Sequence, residues 1–137
     1  FCGYDGRIGT VPVGLEAAHV RWWAFDGPDE VDNGLCLCAL HHKLFDMGVL
    51  GLGEAPDAPA GPDAPARPDA RDGRDGHRIL VSQRFVGHGA AAREHVLALA
   101  GRPLIGPQAG APPVAPAHRS WHISQVFHGD PRPAATG

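Results

Sequence analysis

A single lysine, a single tyrosine and a single methionine stand in a chain of 137 residues whose formal net charge is −3. Nothing in that balance announces a nucleic-acid binder, so any affinity for DNA has to come from a local patch or from another domain. The acidic excess is itself local. Residues 54–76 hold six acidic side chains against three arginines, which leaves the rest of the chain neutral. No apolar run is long enough to cross a bilayer and no charged-then-apolar leader is visible, so no membrane partner is expected. Cysteine is scarce too. The three thiols are an odd number, and Cys36 and Cys38 stand too close together for an ordinary disulfide. With nine histidines beside them, metal binding in a reducing, cytoplasmic setting is the better use for at least some of them.

What is abundant is glycine, at 19, and proline, at 14. These predict short elements and many turns, and a core small enough for its length to gain from a metal staple. Composition divides the chain in three. Residues 1–53 contain every cysteine, the lysine and the densest mixture of Trp, His and Leu. Residues 54–76 repeat a loose Pro-Asp-Ala theme without a bulky apolar side chain, and predict a disordered insertion. Residues 77–137 regain apolar character, with a strand predicted over Arg78–Val86, helices over Ala91–Ala100 and near Ala117–His128, and a disordered tail from about residue 129. The opening Phe1-Cys2-Gly3, without Met, falls inside what reads as a motif, so the chain is expected to be part of a longer protein.

Within the first region, Ile8–Val13 and Leu15–Val20 are predicted as two strands joined at Gly14. A loop follows over 21–34, rich in turn signals. A helix is then predicted from about Leu37, with Leu37, Leu40 and Leu44 as its apolar stripe and Gly48 as its stop. On that helix Cys38 and His41 share a face and suit one ion. His42 is turned about 100° away and shares its side with Asp46 instead. The adjacent histidines thus suit two separate metal sites, one structural and one catalytic. Cys36 reads as a small buried hydrophobe. The later histidines, His77, His88, His95, His118, His122 and His128, show no ligand spacing and read mostly as surface residues. Of Trp22 and Trp23, at least one ring is expected in the core. Trp121, Ile123, Val126 and Phe127 read as a helix face packed on that core.

The stretch LEAAHV, a loop closing on Asn33-Gly34-Leu35, and then LCLCALHHKLFD resembles the motif of the HNH, or ββα-metal (His-Me finger), endonucleases. The wording of CGYDGRIG, LEAAHVRWW, GPDEVDNGL and LHHKLFDMG is similar to a narrower group, the restriction endonucleases that act on modified, including phosphorothioated, DNA. The resemblance covers residues 1–50 well and 77–128 more thinly. It implies an α+β fold with a ββα-metal nuclease core over 1–53, a zinc knuckle, and C-terminal helices over 77–137. It implies His19 as general base for hydrolysis of DNA phosphodiester bonds. Asn33 would brace the loop and hold the His19 ring or reach the metal, and His42 would bind a catalytic Mg²⁺ or Mn²⁺. Cys2, Cys38 and His41 would hold a structural Zn²⁺, with a fourth ligand expected upstream of Phe1. Arg21 and Lys43 flank the site as candidate phosphate contacts. A DNA-recognition domain is expected upstream, and a homodimer is one assembly the pattern allows. The residue before the catalytic His is often a metal ligand in that family and is Ala18 here. The second protein ligand is therefore open, with Asp46 and Glu16 as candidates. Ala18 also keeps open a non-catalytic, zinc-stapled DNA-binding or interaction module.

Overall fold

A computed structural model describes residues 1–55, 74–108 and 110–135. The body of the segment predicted to be a disordered insertion, residues 56–73, lies outside the described residues. Its ends do not: Glu54 closes one strand, and Arg74–Gly76 open the next.

Among the described residues the fold is mixed α+β, with small antiparallel sheets and three α-helices. A tiny hairpin, β1 (Arg7–Ile8) with β2 (Val11–Pro12), precedes β3 (Leu15–His19). β3 does not pair with the segment before it, as the sequence predicts. It pairs across the 20–33 loop with β4 (Gly34–Cys38), in a register that sets His19 against Gly34 and Glu16 against Leu37. The chain then enters helix α1 (Ala39–Asp46) directly. Leu37 is therefore a buried strand residue, and Leu40 on the helix is 49% exposed. The alternation Leu35-Cys36-Leu37-Cys38 is the strand pattern that the helical stripe obscured. Cys36 is exposed, which corrects its reading as a buried hydrophobe.

β5 (Leu50–Glu54), β6 (Arg74–Val81) and β7 (Pro103–Ile105) form a three-stranded antiparallel sheet, with α2 (Ala90–His95) and a short 3-10 turn in the β6–β7 connection. Leu50 opposes Val81 and Leu52 opposes Ile79, and all four side chains are buried with Phe45, Val96 and Leu99 in one core. Gly51 has α3 (Pro116–Gln125) and the residues after it as neighbours: a Cβ there would stand 2.8 Å from the Phe127 ring and 3.0 Å from Ile123. Residues 129–135, where the sequence predicts a disordered tail, run beside β6. The Arg132 amide donates to the Val81 carbonyl, and the Ala135 amide to that of Ala100. No helix among the described residues is long and apolar enough to cross a membrane.

One contact ties the C-terminal helix to α1. His122, read from sequence as a surface residue, is 1% exposed and lies flat on the Phe45 ring, with centroids 3.8 Å apart and planes 10° from parallel. Its Nε2–H donates to the Phe45 carbonyl at 3.0 Å, a second bond to an acceptor in the last turn of α1 that also takes the Gly48 amide at 3.1 Å. His77 is buried as well. Gly48 ends this region for two reasons. Its φ of +73° is left-handed, and a Cβ would come within 2.1 Å of the Val126 carbonyl oxygen.

Burial pushes the His122 imidazole down to about 4, with its hydrogen bond to the Phe45 carbonyl pulling weakly the other way. The unfolded chain takes up this proton below about 6.5, the folded chain only below about 4, so acid favours unfolding across that window. Stability from this group is complete above pH 6.5 and falls by roughly 3 kcal/mol as pH drops to 4. Urea denaturation of wild type and His122→Gln at pH 7.5 and pH 4.5 is expected to show the steeper loss in wild type. Equal losses would show that His122 is not the group that titrates.

Candidate functional site

The sequence places His19 at the end of β3, and the structure puts it at the rim of an open cleft of about 490 Å³. Ala17, His19, Trp22, Trp23, His42, Asp46 and Met47 line this cleft. A second concavity of about 290 Å³ lies beside Phe1, Leu35 and Val114; its lining has the three thiols, Cys2, Cys36 and Cys38, but no carboxylate or imidazole, so the imidazole and carboxylate chemistry belongs to the first.

His42 sits between two carboxylates. Its Nδ1 hydrogen-bonds to Glu16, and its Nε2 lies 3.2 Å from Asp46 one helical turn on. With the Nδ1 proton directed at Glu16, the ring's lone pair falls on Nε2, beside the Asp46 oxygen. A carboxylate fixing one imidazole nitrogen so that the other is free to ligate is the usual outer support of a metal-binding histidine. Burial raises the Asp46 carboxyl above the ordinary value, the His42 and Lys43 charges pull it down, and Glu16 adds to the rise. A divalent cation held by His42 Nε2 and Asp46 would reverse that rise by favouring the carboxylate. His19 also has an acidic partner, its Nε2 lying 3.3 Å from Asp29. Sequence alone does not single out Asp29, whose one mark there is the Pro28-Asp29 turn signal in the same loop.

Asn33 is fully buried, and its amide is consumed by backbone. Nδ2 donates to the Arg21 and Pro28 carbonyls, at 3.0 and 2.9 Å, and Oδ1 accepts the Arg21 amide at 2.8 Å. It braces the loop and does not reach the His19 ring or the cleft. Arg21 is committed to the same loop through Nε to the Phe25 carbonyl at 2.8 Å, while Lys43 is exposed on α1. Neither lines the cleft. Gly27 completes the brace, since a Cβ there would fall 1.9 Å from the Arg21 carbonyl oxygen.

On the other side of α1, Cys2, Cys38 and His41 bring their ligand atoms within 4.8 Å of one another. The two sulfurs are 3.8 Å apart, and Cys38 Sγ is 3.3 Å from His41 Nδ1. Zinc–sulfur bonds of about 2.3 Å at a tetrahedral angle separate two sulfurs by about 3.8 Å, and a sulfur and a nitrogen by about 3.5 Å, so the donors fit. His41 Nε2 donates to the His95 carbonyl at 2.7 Å, which leaves Nδ1 as the lone-pair nitrogen facing Cys38. The same bond satisfies a carbonyl at the C-terminal end of α2. Burial lowers the His41 imidazole and keeps it neutral, the form that ligates a metal. Burial also raises the Cys38 thiol; the His41 backbone amide opposes the rise and the Cys2 sulfur adds to it. A bound cation would instead deprotonate the thiol.

Replacing Asn33 with Ala strands one buried amide and two carbonyls. Asn33→Ala is expected to lower the unfolding free energy by about 2–4 kcal/mol in urea denaturation, given the cost of unpaired buried polar groups. A loss below about 1 kcal/mol would show that the loop is held some other way.

No curated protein and no solved structure matches the chain significantly. Residues 1–53, which carry β1 to β4, α1 and both side-chain clusters apart from the supporting His95 carbonyl, match the family model described as HNH endonuclease.

Proposed function

We propose that this chain is the nuclease part of a metal-dependent HNH endonuclease that hydrolyses DNA phosphodiester bonds, with β3, β4 and α1 as its ββα-metal core. The observation that carries the reading is the shared cleft: His19, His42 and Asp46 line one concavity, within the segment that matches the family. His19 is the general base. With Nε2–H held by Asp29, its Nδ1 takes the proton of the attacking water as the new oxygen–phosphorus bond forms and the bond to the 3′ oxygen breaks. His42 and Asp46 would hold the Mg²⁺ or Mn²⁺ ion, with Glu16 fixing the His42 ring. When bound, that cation supplies charge neutralisation at the phosphate and stabilisation of the leaving oxygen. Asn33 acts through the backbone, setting the loop from which Asp29 and the tryptophans project. Lys43 and Arg21 remain proposals as phosphate contacts, Lys43 the more accessible.

The Cys2, Cys38 and His41 cluster is proposed as the zinc knuckle, a structural site that fixes the start of α1. The cellular role is proposed to be restriction of modified or foreign DNA in the cytoplasm. The motif wording is similar to that of modified-DNA-dependent restriction enzymes, including the phosphorothioation-dependent group, with recognition by a separate domain. A second reading, a zinc-stapled DNA-binding module without catalysis, is favoured by Ala18, which is 2% exposed and offers no ligand beside His19.

Nicking of supercoiled plasmid in Mn²⁺ or Mg²⁺ separates the readings. Wild type is expected to nick, and His19→Ala to lose at least about a hundredfold, the contribution typical of a general base, with zinc content unchanged. DNA binding by both proteins without nicking would favour the binding module. Cys38→Ser is expected to lower bound zinc in elemental analysis and to lower the melting temperature, since metal affinity contributes to folding. Unchanged metal content would remove the zinc assignment.

A further inference from the structure

Two adjacent tryptophans in the 20–33 loop have opposite fates. Trp22 packs against Trp121, with centroids 5.9 Å apart, and against Phe25 at 6.2 Å. Trp23 is 71% exposed, although a ring of that size normally finds cover. Its nearest aromatic neighbour is His19, with centroids 6.4 Å apart and planes at 58°. The ring stands at the edge of the cleft that holds His19, His42 and Asp46. It is not there through looseness. The Phe25 and Gly27 amides both donate to the Trp22 carbonyl, at 2.9 and 3.0 Å, and the buried Asn33 amide ties both sides of the loop together. A large π-face is thus held open to solvent on a rigid loop, at the imidazole proposed to do the chemistry.

We infer that Trp23 is the stacking platform for a nucleobase next to the scissile phosphate. This rests on the nuclease reading and adds a substrate class to it. A ring stacks on a base face only when that face is free of its neighbour in the duplex, so the platform selects an unstacked nucleotide, as in single-stranded, frayed or mismatched DNA. The chemistry of the surroundings favours a nucleotide over an apolar protein surface. Beside the ring lie two imidazoles and a carboxylate, groups suited to a phosphate and its cation and costly to cover with apolar side chains. Stacking is also tolerant of base identity, which fits a nuclease part whose sequence or modification preference is set elsewhere.

The test compares binding of two octamers of equal charge, oligothymidylate and an abasic phosphodiester of the same length, in Ca²⁺. Wild type is expected to bind the thymidylate about tenfold more tightly, within the range for one stacked base, with quenched tryptophan emission. Trp23→Ala is expected to bind both octamers alike, and Trp23→Phe to recover part of the preference. The exposed ring contributes little to packing, so the melting temperature of Trp23→Ala should match wild type. A thymidylate preference retained in Trp23→Ala overturns the inference alone, as does metal-dependent plasmid nicking by Trp23→Ala with an unchanged KM. Failure of wild type both to bind either octamer and to nick plasmid overturns the inference and the nuclease reading together.

Discussion

An α-helix turns about 100° per residue, so two consecutive histidines cannot look into the same surroundings. The rest of this structure depends on that constraint at His41 and His42. His41 faces inward, onto Cys38 and the His95 carbonyl, and His42 faces Glu16, Asp46 and the cleft. A helix of eight residues therefore contributes to two side-chain clusters at once. Such a helix is too short to hold its place by propensity. Its position is over-determined by contacts at both ends. Cys38 stands at the N-cap beside Cys2, and at the other end Phe45 is buried under Phe1 and His122. A shift in α1 that disturbed the sulfur cluster would also carry His42 away from Glu16. The cluster and the cleft share α1 without sharing a side chain.

The loop between β3 and β4 is the second element that has to be placed, and its placement is polar where that of α1 is mainly apolar. A buried side-chain amide is costly unless its donors and acceptor are matched, and Asn33 matches them entirely with loop backbone. The Val20 amide donates to the Asn33 carbonyl at 3.0 Å, so the brace continues into the strand pair that carries His19. Apolar packing then finishes the work: Trp22 and Phe25 meet Trp121 from α3, a segment about a hundred residues further along the chain. The C-terminal region thus supports the first fifty residues under the loop through Trp121 and under α1 through His122, with the His128 amide on the Gly48 carbonyl and the Ala115 amide on that of Asp32 adding to the hold.

How much of this could be read in advance follows from which forces are local. Gly48 as a stop, Cys38 with His41, and the turning of His42 toward Asp46 depend on helical geometry and neighbouring residues, and were legible. The strand pairing was not. β3 seeks its partner across a loop, and Leu37, Leu40 and Leu44 mimic a helical stripe although Leu37 belongs to β4. Local periodicity yielded there to pairing with Glu16 and burial against the core. His122 was invisible for a related reason. Its burial is decided by Phe45, 77 positions away, and a lone histidine between Trp121 and Ile123 carries no mark of which ring it will meet. Asn33 was singled out by pattern, but only the structure shows that its amide is used up on the backbone and does not touch the His19 ring.

Electrostatics supplies the last step. The residues around the cleft bring three carboxylates, Glu16, Asp29 and Asp46, close to His19 and His42, while the nearby arginine is spent on a loop carbonyl. A phosphodiester approaching this arrangement meets like charge, and the chain's own net charge of −3 offers no steering field to offset it. Protonating His42 does not remove the conflict, since one imidazolium between two carboxylates leaves the group negative. A divalent cation does remove it. Held by Asp46 and the Nε2 of His42, it would turn the acidic side chains from a repulsive wall into the support of a positive centre facing the phosphate. The same carboxylates that make the cleft unsuited to DNA by themselves are those a metal-dependent nuclease needs, so the charge arrangement supports the proposed use of a divalent ion alongside the ligand chemistry.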